Sequence, residues 1–137
     1  MIRFGFGALA ACMIAGSAQA ADLSPADIVA RHTAAVAKSD VDAMMADYAD
    51  DAIVLEAGQA IQGKAAIRAL MERLFPKQPA GAAPSGMAAM KITKRWAEGD
   101  VGFFDWENGP AHGTDEFIVR GGKIAVQSVF ISRPAGQ

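Results

Sequence analysis

Helical and strand patterns are segregated along this sequence, and that order restricts the fold more than any other feature. Apolar residues recur at helical spacing up to residue 75, whereas β-rich runs divided by turn residues fill the chain from residue 90 onward. A stretch rich in Pro, Gly and Ala, residues 76–86, is expected to be a loop between the two halves. This order predicts an α+β fold, with three N-terminal helices packed on one face of a curved, mainly antiparallel sheet.

The first half contains three helical patterns and one short strand. Ser24 as N-cap and Pro25 at the first helical position begin a helix that we expect to end near Lys38. Asp40 caps a second helix, whose inward-facing residues are expected to include Met44 and Tyr48. A strand over residues 52–56 and a third helix over residues 64–75 complete this half.

The last hairpin indicates which face of the sheet points inward. Its two strands flank Gly121-Gly122, a pair that suits a two-residue turn with positive φ. A regular hairpin then places Asp115 opposite Ser128, on a face that is otherwise apolar, and places Gln127 on the other, outer face. Because a buried carboxylate is costly unless it is paired, hydrogen-bonded or neutral, Asp115 is the first candidate functional residue. The strands of this half are predicted over residues 90–97, 101–108, 112–120 and 123–132.

Two further polar side chains fall on patterns that point inward. His32 lies on the apolar stripe of the first helix, and Glu56 ends the first strand, where alternation leaves open which face is buried. Each candidate also fits a purely structural role, as a core histidine, a solvated glutamate or a carboxylate that caps a backbone group. We expect a pocket lined in part by aromatic side chains. The expected pocket-lining residues are Tyr48, Trp96, Trp106, Phe117, Ser128 and Phe130.

The first twenty residues have the pattern of a secretory signal peptide. An arginine precedes an apolar run, and the letters AQA at positions 18–20 form a small-x-small site, so we expect cleavage after Ala20. The alternative is a lipoprotein, because the letters LAAC that end at Cys12 resemble a lipid-attachment box. Simple export predicts one domain over residues 21–137 and a periplasmic or secreted protein.

Composition and charge exclude several classes of function. The formal net charge is −2 and the sequence has no basic patch, so we expect no nucleic-acid partner. Two histidines at unrelated positions predict no metal site, and no other cofactor is expected. The only cysteine leaves with the signal peptide, so the exported domain has no disulfide and depends on packing for its stability.

Three motifs resemble the nuclear transport factor 2-like superfamily, which includes ketosteroid isomerases and SnoaL-like polyketide cyclases. They are YADDA before the first strand, GKAAIRAL in the third helix and GTDEFIVRGGKIAVQSVF in the last hairpin. The resemblance implies a cone-shaped, cystatin-like α+β barrel. Because this fold hosts many activities, the motifs are better evidence for the fold than for any one function.

Ketosteroid isomerases are most similar in the segments that hold the three candidate residues. Their catalytic base lies where this sequence has Glu56, and their oxyanion-hole tyrosine lies where it has His32. Their protonated oxyanion-hole aspartate stands two residues before a phenylalanine, as Asp115 stands before Phe117. The resemblance therefore implies proton transfer next to a carbonyl, with Asp115 as a neutral hydrogen-bond donor to a developing oxyanion.

These features predict an exported domain that binds a small, largely apolar carbonyl compound, with isomerase-like or cyclase-like acid/base chemistry. The alternative is a non-catalytic ligand-binding or dimeric assembly module without enzymatic activity. In both cases we expect a homodimer, because the outer hairpin face is too apolar for full hydration. We expect no contact with a membrane after signal cleavage. The apolar residues of that face in a regular hairpin are Ile118, Ala125, Val129 and Ile131.

Overall fold

The computed structural model describes residues 22–133, so the expected signal peptide lies outside the described residues. The helices are α1 (Pro25–Ala37), α2 (Val41–Asp47) and α3 (Lys64–Leu74). The strands are β1 (Tyr48–Glu56), β2 (Gln59–Gln62), β3 (Lys91–Glu98), β4 (Val101–Asn108), β5 (Ala111–Arg120) and β6 (Lys123–Ser132). A short 3₁₀ helix, Gly86–Ala89, precedes β3.

The six strands form one curved sheet in the order β2-β1-β6-β5-β4-β3. Every neighbouring pair is antiparallel except β1 and β6, which run parallel. The predicted α+β architecture is therefore confirmed, with the helices on one face of a mostly antiparallel sheet. None of the helices within residues 22–133 is long and apolar enough to cross a membrane.

The local sequence explains where the helices begin and end. Ser24 Oγ accepts the backbone N–H of Asp27, and the Asp27 carboxylate accepts the backbone N–H of Ser24, which makes a reciprocal capping box. Asp40 caps α2 by accepting a backbone N–H three residues later. This helix is shorter than predicted, because Tyr48 has extended backbone angles and begins β1. The strand β2 and the 3₁₀ helix were not predicted.

The core lies between the helices and the inner face of the sheet, and α1 crosses β3, β4 and β5. Gly102 on β4 allows the helix to approach the sheet closely. A Cβ atom at this position would lie 2.5 Å from Cγ2 of Val29 and 3.1 Å from the carbonyl oxygen of Pro25. The large side chains buried here include Ile28, Met44, Met45, Tyr48, Ile67, Phe104, Phe117 and Ile124.

The last hairpin departs from a regular register by one residue. Its two-glycine turn has φ angles of 54° and 67°, as predicted. A bulge on β6 then leaves Ala125 without a partner on β5. Beyond the bulge, Asp115 pairs with Val129 and not with Ser128.

The bulge reverses the side-chain directions along the rest of β6, because one extra residue shifts the alternation of faces by one. Gln127 is buried among the helices, and Val129 and Ile131 border the cavity between helices and sheet. Ser128 and Phe130 lie on the outer face. The inward positions predicted for Ser128 and Phe130 are therefore wrong, and the predicted dimerisation face loses Val129 and Ile131.

Candidate functional site

A cavity of about 150 Å³ lies between α1, α3 and the inner face of the sheet. This volume is below the usual range for drug-sized ligands and close to that of a cavity that holds one six-membered ring. The apolar lining residues are Val36, Val54, Leu70, Met71, Leu74, Phe75, Met87, Met90, Phe104, Trp106, Val129 and Ile131. The polar side chains that border the cavity are His32, Glu56, Asp115, Gln127 and Arg133.

Asp115, on β5, is the buried carboxyl group of the cavity. Trp106 Nε1 donates a hydrogen bond to its Oδ1 at 2.8 Å, and Gln127 Nε2 donates to its Oδ2 at 2.5 Å. Burial raises the pKa of Asp115 to about 6, although these two hydrogen bonds and the positive charge that His32 carries when protonated act in the opposite direction. Because both protonation states are populated near that pH, Asp115 can either accept or donate a proton there.

Gln127 fixes the position of the Asp115 carboxyl group through a second hydrogen bond. Its Oε1 accepts the hydroxyl of Tyr48, so that its Nε2 is the atom that faces Asp115. Burial and the negative charges of Asp115 and Asp47 raise the pKa of Tyr48 well above its usual range, which keeps the hydroxyl protonated. A hydrogen-bonded chain therefore runs from β1 through β6 to the carboxyl group on β5.

His32, on α1, occupies the helical wall of the cavity with only 2% of its surface exposed. Its Nδ1 lies 3.1 Å from Asp47 Oδ2. The ring packs edge-on against Phe117, at a centroid distance of 4.9 Å, and against Tyr48, at 5.6 Å. These contacts fix both the plane of the imidazole and the nitrogen that points away from the cavity.

Asp47 is the last residue of α2 and is completely buried. While its Oδ2 faces His32, its Oδ1 accepts a hydrogen bond from Nε of Arg31 at 2.5 Å. The side chain of Arg31 is 44% exposed, so the buried carboxylate is paired with a cation that reaches solvent. Arg31, Asp47 and His32 thus connect the protein surface with the cavity wall.

Glu56 and Arg133 lie at the mouth of the cavity. Both also border an open groove of about 880 Å³ next to the β1–β2 turn and the end of β6. Glu56 is close enough to Asp115 for its negative charge to add to the rise in the pKa of that carboxyl group, after the larger effect of burial. Among residues 22–133, no group of three or more His, Cys, Asp or Glu side chains is arranged to hold a metal ion.

The family model of the SnoaL-like domain matches residues 29–127, which is more than half of the chain. The chain belongs to the SnoaL-like domain family. No curated protein matches the sequence of this SnoaL-like domain.

Solved structures share the fold of this SnoaL-like domain. A nuclear transport factor 2-like protein of unknown function from Burkholderia xenovorans LB400 is 25% identical, with a TM-score of 0.63 over 82% of this chain and 86% of that chain. A candidate polyketide cyclase from Sinorhizobium meliloti is 23% identical, with a TM-score of 0.57 over 75% and 93% of the two chains. An LEH-like epoxide hydrolase from M. tuberculosis is 18% identical, with a TM-score of 0.57 over 79% and 82%. At these identities the last two structures establish the fold alone.

The structure of the SnoaL-like domain brings the three predicted catalytic residues to one cavity. His32 comes from α1, Glu56 from the end of β1 and Asp115 from β5. The face of Glu56, which the sequence left open, follows from its neighbours, because Ala52 and Val54 on the same side of β1 are buried.

The six predicted pocket-lining residues divide into three groups. Trp106 borders the cavity, whereas Tyr48 and Phe117 are buried behind its wall. Trp96 stacks on Phe103 with a centroid distance of 4.9 Å, on the outer face of the sheet. The predictions for Trp96, Ser128 and Phe130 are wrong, because all three side chains lie on the outer face.

Sequence reasoning missed two residues that position the site. Asp47 stands three residues after Met44, which was assigned to the inner stripe of α2, so helical spacing could have placed it inside. Gln127 was assigned to the outer face, and no residue type near the bulge signals its true direction. Asp47 was therefore detectable from the sequence, and Gln127 was not.

Proposed function

We propose that this SnoaL-like domain binds a compact, largely apolar carbonyl compound about the size of one ring and moves a proton next to the carbonyl group. The observation that carries the proposal is Asp115, a carboxyl group in the wall of an apolar cavity with a pKa raised by burial to about 6. A second carboxyl group, Glu56, lies at the mouth of the same cavity. Paired carboxyl groups in different environments are a recurrent arrangement for acid/base catalysis.

The two carboxyl groups take different roles in this proposal. Glu56 removes a proton from a carbon next to the carbonyl, while protonated Asp115 donates a hydrogen bond to the oxygen on which negative charge develops. Glu56 then returns the proton to another carbon. With 3-cyclohexen-1-one the proton leaves C2 and returns at C4, and the double bond moves into conjugation, so atoms and electrons balance. The fold shared with a candidate polyketide cyclase supports proton transfer only at the level of analogy.

The isomerisation of 3-cyclohexen-1-one, followed by the absorbance of the conjugated product, tests this function. We expect Asp115→Asn and Glu56→Gln each to lower the rate by roughly 100-fold or more, the usual contribution of a general acid or base. Glu116→Gln is the matched control, because Glu116 neighbours Asp115 on β5 but points to the outer face. The rate of the parent should fall as the pH rises above about 6, because Asp115 then loses its proton.

A non-catalytic binding module is the alternative, and the same protein preparations distinguish it. If the ring compound binds but is not isomerised by the parent at any pH between 5 and 8, proton transfer is the wrong function and binding alone remains. If neither binding nor turnover occurs, the proposal of a small-molecule site is wrong.

We also propose that two copies of this domain associate through the outer face of the sheet. Phe130 is 60% exposed and Leu55 is 43% exposed there, which is unusual for side chains of this size on a fully hydrated surface. A row of half-buried aliphatic residues crosses the same face through neighbouring strands. Its members are Ile53, Val126, Ile118 and Val101.

Export to the periplasm or the medium is proposed from the N-terminal pattern alone. The small-x-small site at positions 18–20 supports a mature protein that begins at Ala21. N-terminal sequencing of the protein produced in a Gram-negative host tests this expectation. A protein that starts at Met1, or a lipid-modified Cys12, would contradict it.

A further inference from the structure

We propose that Asp47 holds His32 in the tautomer whose Nε2 is a hydrogen-bond acceptor toward the cavity, so that the ligand must present a hydroxyl or N–H group to α1. This inference rests on the proposed small-molecule function of the cavity and narrows its substrate class. The substrate becomes a ring-sized carbonyl compound that also carries a hydroxyl group.

The proton between His32 and Asp47 lies on the histidine ring. Arg31 places its guanidinium against Oδ1 of Asp47, and a carboxylate paired with a guanidinium is a hydrogen-bond acceptor only. The contact between Asp47 Oδ2 and His32 Nδ1, at 3.1 Å, therefore requires the proton to lie on Nδ1.

The other ring nitrogen of His32, Nε2, is then left without a proton. In the neutral imidazole only one nitrogen carries a proton, so a protonated Nδ1 leaves Nε2 with a free lone pair. Among residues 22–133, no hydrogen bond joins Nε2 to the protein, and the His32 side chain borders the cavity. The ligand group that pairs with a lone pair at the cavity wall is a hydrogen-bond donor.

This role of His32 differs from the one implied by resemblance to ketosteroid isomerases. There the residue at the place of His32 donates a hydrogen bond to an oxyanion, whereas Nε2 of His32 in the proposed tautomer accepts one. A bare ketone would leave Nε2 unpaired, whereas a hydroxyl group would donate a hydrogen bond to it. Asp115 remains available for the carbonyl oxygen, because it reaches the cavity from β5.

The tautomer can be measured directly by two-bond ¹H–¹⁵N correlation spectra of the histidine rings at pH 8. The protein has two histidines, so His112→Gln assigns the signals. We expect Nδ1 of His32 to be protonated and Nε2 to have the shift of a bare nitrogen. A protonated Nε2 in the parent protein overturns the inference, whatever the cavity binds.

Asp47→Asn tests whether Asp47 determines the tautomer. The amide oxygen should stay with Arg31, which turns the amide N–H group toward Nδ1 and forces the proton onto Nε2. The matched control is Asp42→Asn on the same helix, since Asp42 also pairs with an arginine, Arg68, but its side chain is 86% exposed. An unchanged His32 tautomer in a folded Asp47→Asn protein overturns the role of Asp47.

Ligand selectivity is tested with cyclohexanol and cyclohexanone, which share one ring and differ in the hydrogen-bonding group. Titrations followed by NMR at pH 8, where ionised Asp115 also accepts a hydrogen bond from the alcohol, should show roughly tenfold preference for the alcohol in the parent, and the share due to His32 is the part that Asp47→Asn removes. Asp47→Asn should reduce that preference severalfold, and Asp42→Asn should leave it unchanged.

The outcomes separate this inference from the proposed function. Equal affinity for the two rings in the parent overturns the donor requirement but leaves a small-molecule site in place. If neither ring binds, the site itself is wrong, and the donor requirement is wrong with it. If Asp47→Asn does not fold, the His32 tautomer of the parent still decides the inference.

Discussion

At the scale of single residues, Asp115 is the position where opposing effects on one group are largest. Burial favours the neutral carboxyl, whereas N–H groups of Trp106 and Gln127 favour the carboxylate. Burial is the larger effect, since the pKa is raised from 3.8 to about 6. The Asp115 carboxyl group therefore accepts hydrogen bonds that favour its charged form, while its burial favours the neutral form.

Asp115→Asn is predicted to flatten the dependence of stability on pH. In the parent the folded state binds a proton more tightly than the unfolded state, so the stabilisation is present below pH 4 and is lost as the pH rises through about 6. The loss amounts to roughly 3 kcal/mol, from 1.36 kcal/mol per pKa unit. Urea unfolding of both proteins at pH 4, 5, 6 and 7 measures the difference.

The neutral amide should be less stable than the parent at pH 4 and equally stable or more stable at pH 7. Its N–H group requires Gln127 to rotate its own amide, which removes the acceptor of the Tyr48 hydroxyl and costs about 1 kcal/mol at every pH. Parallel stability profiles would mean that Asp115 has an ordinary pKa, and the acid role proposed for it would then be wrong.

The residues of the site differ in how far their sequence pattern reveals them. Asp115 and His32 interrupt apolar faces, so periodicity alone identifies both as inward polar groups. The direction of the Glu56 side chain could be assigned only from the burial of its neighbours on β1. That burial depends on the position of α3 above the sheet. Gln127 could not be found, because its direction depends on the bulge and not on its own spacing.

At the scale of elements, the bulge in β6 determines which side chains reach the cavity. Within β6 itself, residues 123–132 contain no glycine, proline or asparagine that would indicate an irregular strand. The bulge accompanies the parallel pairing of β6 with β1, whose own register also shifts. Such long-range pairing is invisible to local sequence patterns, whereas the two-glycine turn and the helix caps are local and were predicted correctly.

Gly102→Ala is predicted to disturb the contact between α1 and the sheet. The new Cβ would lie 2.5 Å from Cγ2 of Val29, so the helix that carries His32 must move or its side chains must repack. We expect a loss of about 1–3 kcal/mol in the free energy of unfolding, typical of an overpacked core, together with altered His32 signals. Thermal unfolding and the histidine NMR spectrum measure the two effects.

A double-mutant cycle supplies the control for this prediction. Val29→Ala removes the atom that the new Cβ would meet, so the double variant Val29→Ala with Gly102→Ala should lose less stability than the sum of the single losses. Strict additivity would show that the cost at Gly102 does not come from the contact with the Val29 side chain.

At the scale of the whole molecule, the order of helices and strands was sufficient to predict the fold class. Three amphipathic helices must cover one face of the sheet, and the helices and that face together supply the buried apolar residues of the core. The opposite face has no helix to cover it within residues 22–133, yet it carries Phe130 and Leu55. The monomer therefore leaves an apolar sheet surface exposed, which a second copy would bury.

Phe130→Glu is predicted to produce monomers. Around a two-fold axis each copy presents the same surface, so one added carboxylate places two like charges in one interface and removes an exposed aromatic ring. Ala69→Glu is the matched control, because it adds the same charge to the exposed side of α3, away from the sheet. Sedimentation equilibrium should show dimers for the parent and the control and monomers for Phe130→Glu, with unchanged circular dichroism.

Because Phe130 points away from the cavity, the monomer should retain its affinity for ring-sized ligands. A parent protein that is monomeric at high micromolar concentration would contradict the dimer, and the exposed ring would then have to serve a different partner.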